Sequence, residues 1–433
     1  MRQFAGEEYD HFMKNLIQIL IFIKNVHIYG YMLKAFRYRL YPTPSQEELI
    51  AKHIGSVRFL YNLALETKQT AYAGSKVNLS RYDLSAQIPE LKKECPWLKE
   101  INSQSLQQAL VHMDTAFNNF FKGQAEFPRF KSKSRSRQSF CVPQSVSLEG
   151  GKLCLPKFKK GIAIVEHRPL KGEIRQATIS RTPTGKYFVS ILVETGVEVP
   201  IKKEVRPDTT VGIDLGLKTL IVGSDGFCLD NPRHLRRAMD RLKYIQSHFS
   251  KHKGKRAKNK LALLHEKVTN QRRDLLHKAS SQLVKNHDSI AIEDLNIKGM
   301  VRNHRLAQSV SDAAWGIFVS MLEYKAEWQG KNILRIGRFE PSSKTCSDCG
   351  WIHRELALDE REWACRACGS VHDRDRNAAK NIKAFALEKH KTVCGTQTKT
   401  RSEPPTLVGV LTSEAHGSLA HGQFTENGTG KKD

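Results

Sequence analysis

Apolar and polar side chains alternate from Lys34 to Tyr41, with Phe36, Tyr38 and Leu40 on one side and Arg37 and Arg39 on the other. That period predicts a strand with one buried face. Pro42-Thr43-Pro44 ends the alternation. Ser45-Gln46-Glu47-Glu48 then has the S-x-x-E form of a capping box and opens a helix carrying Leu49, Ile54, Val57 and Leu60. A second helical repeat places Leu106, Leu110, Met113, Phe117 and Phe121 on one face and stops in the loop Gly123 to Pro128. Strand-like runs follow around Val146 to Leu155, Gln176 to Arg181 and Tyr187 to Val193. The first half therefore reads as a small β-barrel interrupted by a helical module.

After the linker Lys202 to Asp208 the pattern changes. Thr210-Val211-Gly212-Ile213-Asp214-Leu215-Gly216 reads as a short apolar strand, and Leu220 to Val222 with the turn Ser224-Asp225-Gly226 makes the first hairpin of a mixed sheet. Leu242, Ile245 and Phe249 recur at helical spacing within Arg233 to Lys278, which holds fifteen Lys or Arg against three acids and reads as a basic helical hairpin. The sheet resumes at Ser289 to Glu293 and at Ile333 to Phe339. From Gly395 onward the chain is rich in Gly, Ser and Thr and reads as a disordered tail.

Near the start, the apolar run Leu16 to Ile23 falls far short of the roughly 20 residues that span a membrane. Lys24-Asn25-Val26-His27 offers no small-residue cleavage site. A soluble, intracellular protein is expected, with residues 1–31 an extension upstream of a start at Met32.

Composition then narrows the partner. With 433 residues and 39% hydrophobic content the chain can build two or three cores. Its 70 Lys plus Arg against 44 Asp plus Glu, a net charge of +26, call for a polyanion, nucleic acid first.

Two constellations carry chemistry. Cys346-x-x-Cys349 and Cys365-x-x-Cys368, each followed by glycine, have the spacing of two knuckles that complete a tetrahedral four-sulfur shell for one structural Zn2+. The other cysteines, 95, 141, 154, 228 and 394, show no such spacing. Asp214 and Glu293 each end an apolar strand, and Asp375 follows the second knuckle. Alone, each such acid is most often a turn or cap residue. Together they could supply the hard oxygen ligands that phosphodiester hydrolysis by two Mg2+ ions needs. Within Asp373-Arg374-Asp375-Arg376-Asn377-Ala378-Ala379, the small residues suit a helix packed closely on a sheet.

These motifs resemble those of the TnpB (OrfB) family, transposon-encoded RNA-guided nucleases related to the type V CRISPR effectors. The resemblance runs from about Met32 to Ala386. It rests on Phe36 to Pro42, Phe127-Pro128-Arg129-Phe130, Gly212 to Gly216, Glu293-Asp294-Leu295, Ser311 to Gly316, the four cysteines and Asp373 to Ile382. It implies an α/β RNase H-like (RuvC) core over 204–340 and 370–392 and a zinc ribbon over 341–369. A wedge-like β-barrel over 32–44 and 123–203 would carry a helical recognition insert over 45–122, leaving 393–433 as the tail. The implied catalytic and Mg2+-binding acids are Asp214, Glu293 and Asp375, with Asp373 the alternative for the third. One ion would be shared by Asp214 and Asp375 and the other by Asp214 and Glu293. The implied partners are a guide RNA from the transposon end and a double-stranded DNA target, with the protein reading a short flanking motif. The family leaves room for a separate transposase on the same element, involves no membrane, and places the protein in a prokaryotic cytoplasm on the nucleoid. Candidate nucleic-acid contacts are Gln107, Arg129, Lys131, Arg236, Arg237, Lys255, Arg256, Arg272 and Arg273.

Three rivals stay open. Ile213-Asp214-Leu215-Gly216 also resembles the first phosphate turn of actin-like ATPases, though no second glycine-rich motif follows. A conventional transposase without RNA could use the same acids, and so could an inactive RNA-guided DNA-binding protein retain them.

Overall fold

The computed structural model describes residues 31–399 except 135, 253 and 358. The expectations for residues 1–30 and for the tail beyond 399 lie outside the described residues. The described residues up to Leu387 form one compact unit, and those from Glu388 onward, the end of the last helix, belong to a second.

In the first unit, strand β1 (Tyr31–Tyr41) leads into the long helix α1 (Pro44–Ser75). The cap of α1 differs from the sequence expectation. Thr43 is the N-cap, its hydroxyl accepting from the Gln46 amide while the Gln46 side chain accepts from the Thr43 amide. Pro44 favours this register because proline at the first helical position sacrifices no hydrogen bond. Helices α2 (Arg81–Ala86), α3 (Ile88–Glu94) and α4 (Ser103–Phe121) complete the helical module.

The strands that follow are β2 (Gln138–Val142), β3 (Ser147–Glu149), β4 (Lys152–Leu155), β5 (Phe158–Val165), β6 (Glu173–Arg181) and β7 (Tyr187–Glu198). With β1 they form one seven-stranded sheet in the order β2-β6-β7-β1-β5-β4-β3, its described pairings antiparallel. One continuous core joins this sheet to α1–α4, from Tyr38 and Leu40 through Leu65, Leu110 and Met113 to Val189 and Ile191.

A second sheet has the order β10-β9-β8-β11-β12, built from β8 (Thr210–Asp214), β9 (Thr219–Gly223), β10 (Cys228–Asp230), β11 (Ser289–Glu293) and β12 (Asn332–Ile336). Strands β8, β9 and β10 are antiparallel neighbours, while β11 runs parallel to both β8 and β12. The chain leaves the sheet at Ile336, so Phe339, expected at the end of this strand, stands outside it. The basic stretch forms α5 (His234–His252) and α6 (Lys255–Asn286). Helices α7 (Ile297–Arg302), α8 (Ala307–Ala313) and α9 (Trp315–Trp328) fill the crossover between β11 and β12. Last come the short hairpin β13 (Glu362–Ala364) and β14 (Val371–Asp373) and the helix α10 (Arg374–Lys399).

Side chains alternate across a strand, which sorts the second sheet into two faces. Val211, Ile213, Ile290 and Ile292 pack with residues of α6 and α9. Gly212 and Ala291 face the other way: Ala291 packs with Ile382 and Ala386 of α10, and a Cβ on Gly212 would lie 2.1 Å from the Ala379 carbonyl. Small residues on that face let the helix backbone approach the strands.

Candidate active site and cysteine cluster

Register decides where the acids stand. Parallel pairing of β8 with β11 runs to Ile213 beside Ile292, so one step further Asp214 and Glu293 are neighbours across the ladder. Alternation puts Asp214 on the face of Gly212 and Glu293 on the face of Ala291, the face that α10 covers. On α10, Asp375 precedes the fully buried Ala378, Ala379 and Ile382 by three, four and seven residues, so it lies on the helix side pressed against the sheet. Three acids distant in sequence thus meet at one strand end.

Their electrostatics agree. Burial first, then the charges of Glu293 and Asp375, push the Asp214 carboxyl up to about 7, against a weaker opposing pull from the Leu215 amide and Arg374. Such a site carries more negative charge than its protein surroundings compensate. Asp373 belongs elsewhere: it is exposed and accepts from the Arg376 amide at 2.9 Å, capping α10.

Two further residues hold the acids and were missed from sequence. The Ser342 hydroxyl donates to Glu293 at 2.5 Å, and Arg361 donates to Asp375 at 3.1 Å. Neither has a local signal, since each lies dozens of positions, or a whole hairpin, away from its partner in the chain.

The four cysteines converge as their spacing predicts. Their sulfurs all lie within 4.8 Å of one another, with Cys346 and Cys365 buried and Cys349 and Cys368 exposed. The two halves repeat one geometry. Cys346 donates its amide to Trp351 and accepts from Gly350, and Cys365 likewise donates to Ser370 and accepts from Gly369. Gly350 and Gly369 have φ of 78° and 77°, a conformation that suits glycine. Hydrogen bonding with Ser370 draws the Cys368 thiol down to about 6, while burial pushes the Cys346 thiol up, as in a cluster of sulfurs that share their protons.

This cluster is latched to α10. Asn377 donates to the Thr345 carbonyl at 2.7 Å and accepts from the Ser347 amide at 2.9 Å, while Asn381 donates to the Ser342 carbonyl at 2.7 Å. Both asparagines are buried. The strap from Ser342 to Ser347 therefore grips the helix that bears Asp375 and, through the Ser342 hydroxyl, the carboxylate of Glu293.

The expected nucleic-acid contacts divide. Gln107, Arg236, Arg237, Arg256 and Arg273 are exposed. Arg129 is exposed but pairs with Glu126, and Lys131 is half-buried with its ammonium 3.6 Å from the Tyr61 ring centre. Arg272 is committed inside the fold: it bonds the buried Asp312 at 3.0 Å, and the same carboxylate accepts from the Leu235 amide at the start of α5. The Lys255 side chain lies outside the described residues. A cleft of about 700 Å³ has six cationic side chains in its lining, Lys218, Arg233, Arg236, Lys243, Arg305 and the Arg361 that bonds Asp375, beside the acids Asp240 and Asp312; of the six, only Arg236 is among the expected contacts.

Residues 190–304 match the OrfB_IS605 family model, described as "Probable transposase", and residues 315–382 match the Cas12f1-like TNB domain. Residues 32–76 match the helix-turn-helix domain of the same OrfB family; here that segment is β1 followed by one long helix. A Streptomyces pristinaespiralis protein named as an RNA-guided DNA endonuclease is 41% identical over 374 residues, covering 84% of this chain and 91% of its own length. InsQ of Escherichia coli K12, named in the same way, is 30% identical over 376 residues, covering 81% and 92%. A solved complex of Cas12f1 with single guide RNA and target DNA matches 82% of this chain and 99% of its own, at 14% identity and a TM-score of 0.44.

Proposed function

The chain belongs to the OrfB (TnpB) family, and from that premise we propose that it is an RNA-guided DNA endonuclease whose cutting site is formed by Asp214, Glu293 and Asp375. One observation carries the assignment of the site: sheet register and the buried side of α10 bring the acids of β8, β11 and α10 to one strand end, where burial first and then the charges of Glu293 and Asp375 raise the Asp214 carboxyl to about 7. Three antiparallel strands followed by two parallel ones support an RNase H-like core, and the cysteine segment between β12 and α10 supports a zinc ribbon inserted in it. The seven-stranded sheet with α1–α4 takes the place of the wedge and its recognition insert.

Excess carboxylate charge fits divalent cations with hard oxygen ligands. Two Mg2+ ions held by Asp214, Glu293 and Asp375 would supply activation of the attacking water and charge neutralisation at the leaving 3′ oxygen. The residues themselves do the positioning. Ser342 orients Glu293 and Arg361 orients Asp375. The cationic cleft draws the phosphate backbone toward them. Four cysteine sulfurs within 4.8 Å of one another fit one Zn2+, which would bind them as thiolates, fixing the strap from Ser342 to Ser347 and hence the Asp375 helix. Sequence choice then belongs to a guide RNA pairing with target DNA, in the cytoplasm of a prokaryotic cell.

The test is to express the chain with its flanking DNA, sequence the RNA that copurifies, and measure plasmid cleavage with Mg2+. RNA-dependent cutting, lost in Asp214→Ala and leaving 5′ phosphates, is expected. Bound RNA without cutting would establish a guided binder instead, and cutting without RNA a conventional transposase.

A further inference from the structure

Strand β12 ends at Ile336, the register partner of Glu293. The loop that follows is tied to the catalytic strand on both sides. Arg338 donates from Nε to the Asp294 carbonyl at 3.1 Å and from a terminal nitrogen to the Asp294 carboxylate at 2.8 Å. Four residues on, Ser342 donates to Glu293. Local backbone bonds from the Glu340 amide to the Gly337 carbonyl at 3.4 Å and from the Ser342 amide to the Glu340 carbonyl at 2.8 Å shape the turn between these tethers.

Phe339 stands in the middle of this pinned turn and is 94% exposed. Burying a phenylalanine ordinarily stabilises a fold by about 1.5–3 kcal/mol. The ring contributes none of this here, although its backbone is held in place. Ser342 follows it by three positions, so its Cα lies within about 11 Å of that residue, near enough for the ring to meet a base next to a phosphate at Glu293.

Sheet order sets the path. The cationic cleft opens beside Lys218, just past Asp214, and beside Arg361, which holds Asp375. Crossing from β8 to β11 and then to β12 leads from the cleft over Asp214 and Glu293 to Phe339.

We propose that Phe339 is a stacking platform that seats a nucleobase of the DNA strand as it leaves the catalytic carboxylates. An exposed aromatic face suits this task because every base has a π-face, so stacking holds a strand without reading its sequence. The proposal rests on the nuclease reading above, yet its readout does not depend on cutting.

The full chain, copurified with its RNA, is mixed with a matched target duplex carrying 2-aminopurine at successive positions of the displaced strand. Ca2+ replaces Mg2+ to hold the DNA uncut. Fluorescence quenching at one position is expected, retained in Phe339→Trp and lost in Phe339→Ala. With Mg2+, cleavage should fall about tenfold in Phe339→Ala and recover in Phe339→Trp. Because the ring is exposed, neither variant should unfold. Quenching that survives in Phe339→Ala, or that is absent from the wild type at every position, overturns the platform. Wild-type quenching without cutting leaves the platform standing and removes the nuclease reading instead.

Discussion

The seven-stranded sheet and its four helices bury one apolar core running from Tyr38 and Leu40 through Leu98, Leu110 and Met113 to Val189 and Ile191. Among the described residues, the α10 face of the carboxylate-bearing sheet buries a small cluster of Ala291, Ile336, Ile382 and Ala386 with Leu334 and Phe385 packed against it, and the cysteine segment adds Cys346, Leu356, Trp363 and Cys365 with Trp351. The opposite face of the same sheet has a large apolar core with α6 and α9, but the α10 face makes up for its small apolar area with polar latches at Asn377 and Asn381, a sulfur cluster and a backbone contact at Gly212. Apolar burial is roughly proportional to area and weakly directional. Hydrogen bonds and sulfur ligation are directional, and three carboxylates must be held in a fixed relation. The contrast teaches that the seven-stranded sheet with its helices rests on bulk burial, whereas the α10 face of the second sheet and the cysteine segment rest on directional contacts.

The largest effect should come from the sulfur cluster. In Cys346→Ser we expect cleavage to drop to background, because a structural zinc site contributes on the order of 10 kcal/mol of folding energy. Hydrogen exchange should speed up over residues 374–387 while β6 and β7 keep their protection. Wild-type cleavage in this variant would mean that the latches alone place Asp375.

Next, Gly212→Ala puts a methyl group 2.1 Å from the Ala379 carbonyl and 2.6 Å from the Lys383 amide nitrogen, two backbone atoms that cannot move aside separately. A loss of about 3 kcal/mol in stability is expected, with cleavage impaired beyond what unfolding explains. A stable, fully active variant would show that α10 need not touch β8 so closely.

Leu110→Ala probes the other half. At a fully buried position it should cost about 3 kcal/mol in denaturant unfolding, but cutting measured well below the melting temperature should persist. Selective loss of cutting in this variant would blur the contrast.

The smallest effect reverses sign. The Asp214 carboxyl sits near 7 when folded, above its ordinary value, so the folded chain holds that proton more tightly than the unfolded chain. Stability at this site is therefore full in acid and falls as pH rises from about 4 to about 7. Without added Mg2+, Asp214→Asn should match the wild type at pH 4 and exceed it at pH 8 by about 2 kcal/mol, after discounting for partial solvent access. Thermal unfolding at the two pH values reads this directly, and equal curves at pH 8 would mean that burial and the neighbouring acids do not raise this carboxyl.

Much of this was legible along the chain. The strand periods at Lys34 to Tyr41, Tyr187 to Val193 and Ser289 to Glu293 appear in β1, β7 and β11, and the paired knuckles meet as their spacing predicts. The cap of α1 was misplaced because Ser45 and Glu48 satisfy the same local rule as Thr43 and Gln46, and only the backbone turn chooses between them. Strand β12 was drawn too long because Gly337 to Phe339 continues an apolar pattern that sheet pairing does not follow.

Local spacing, then, determined the elements, the four sulfurs and the nature of the three acids, since periodicity and short-range ligand geometry act over a few residues. Tertiary structure alone decided that Asp214, Glu293 and Asp375 share one face, that Ser342 and Arg361 serve them, and that Arg272 is spent on Asp312 while Arg305 and Arg361 line the cleft. Those relations join residues far apart in the chain, and they are fixed by sheet register and by how closely a helix can approach a glycine.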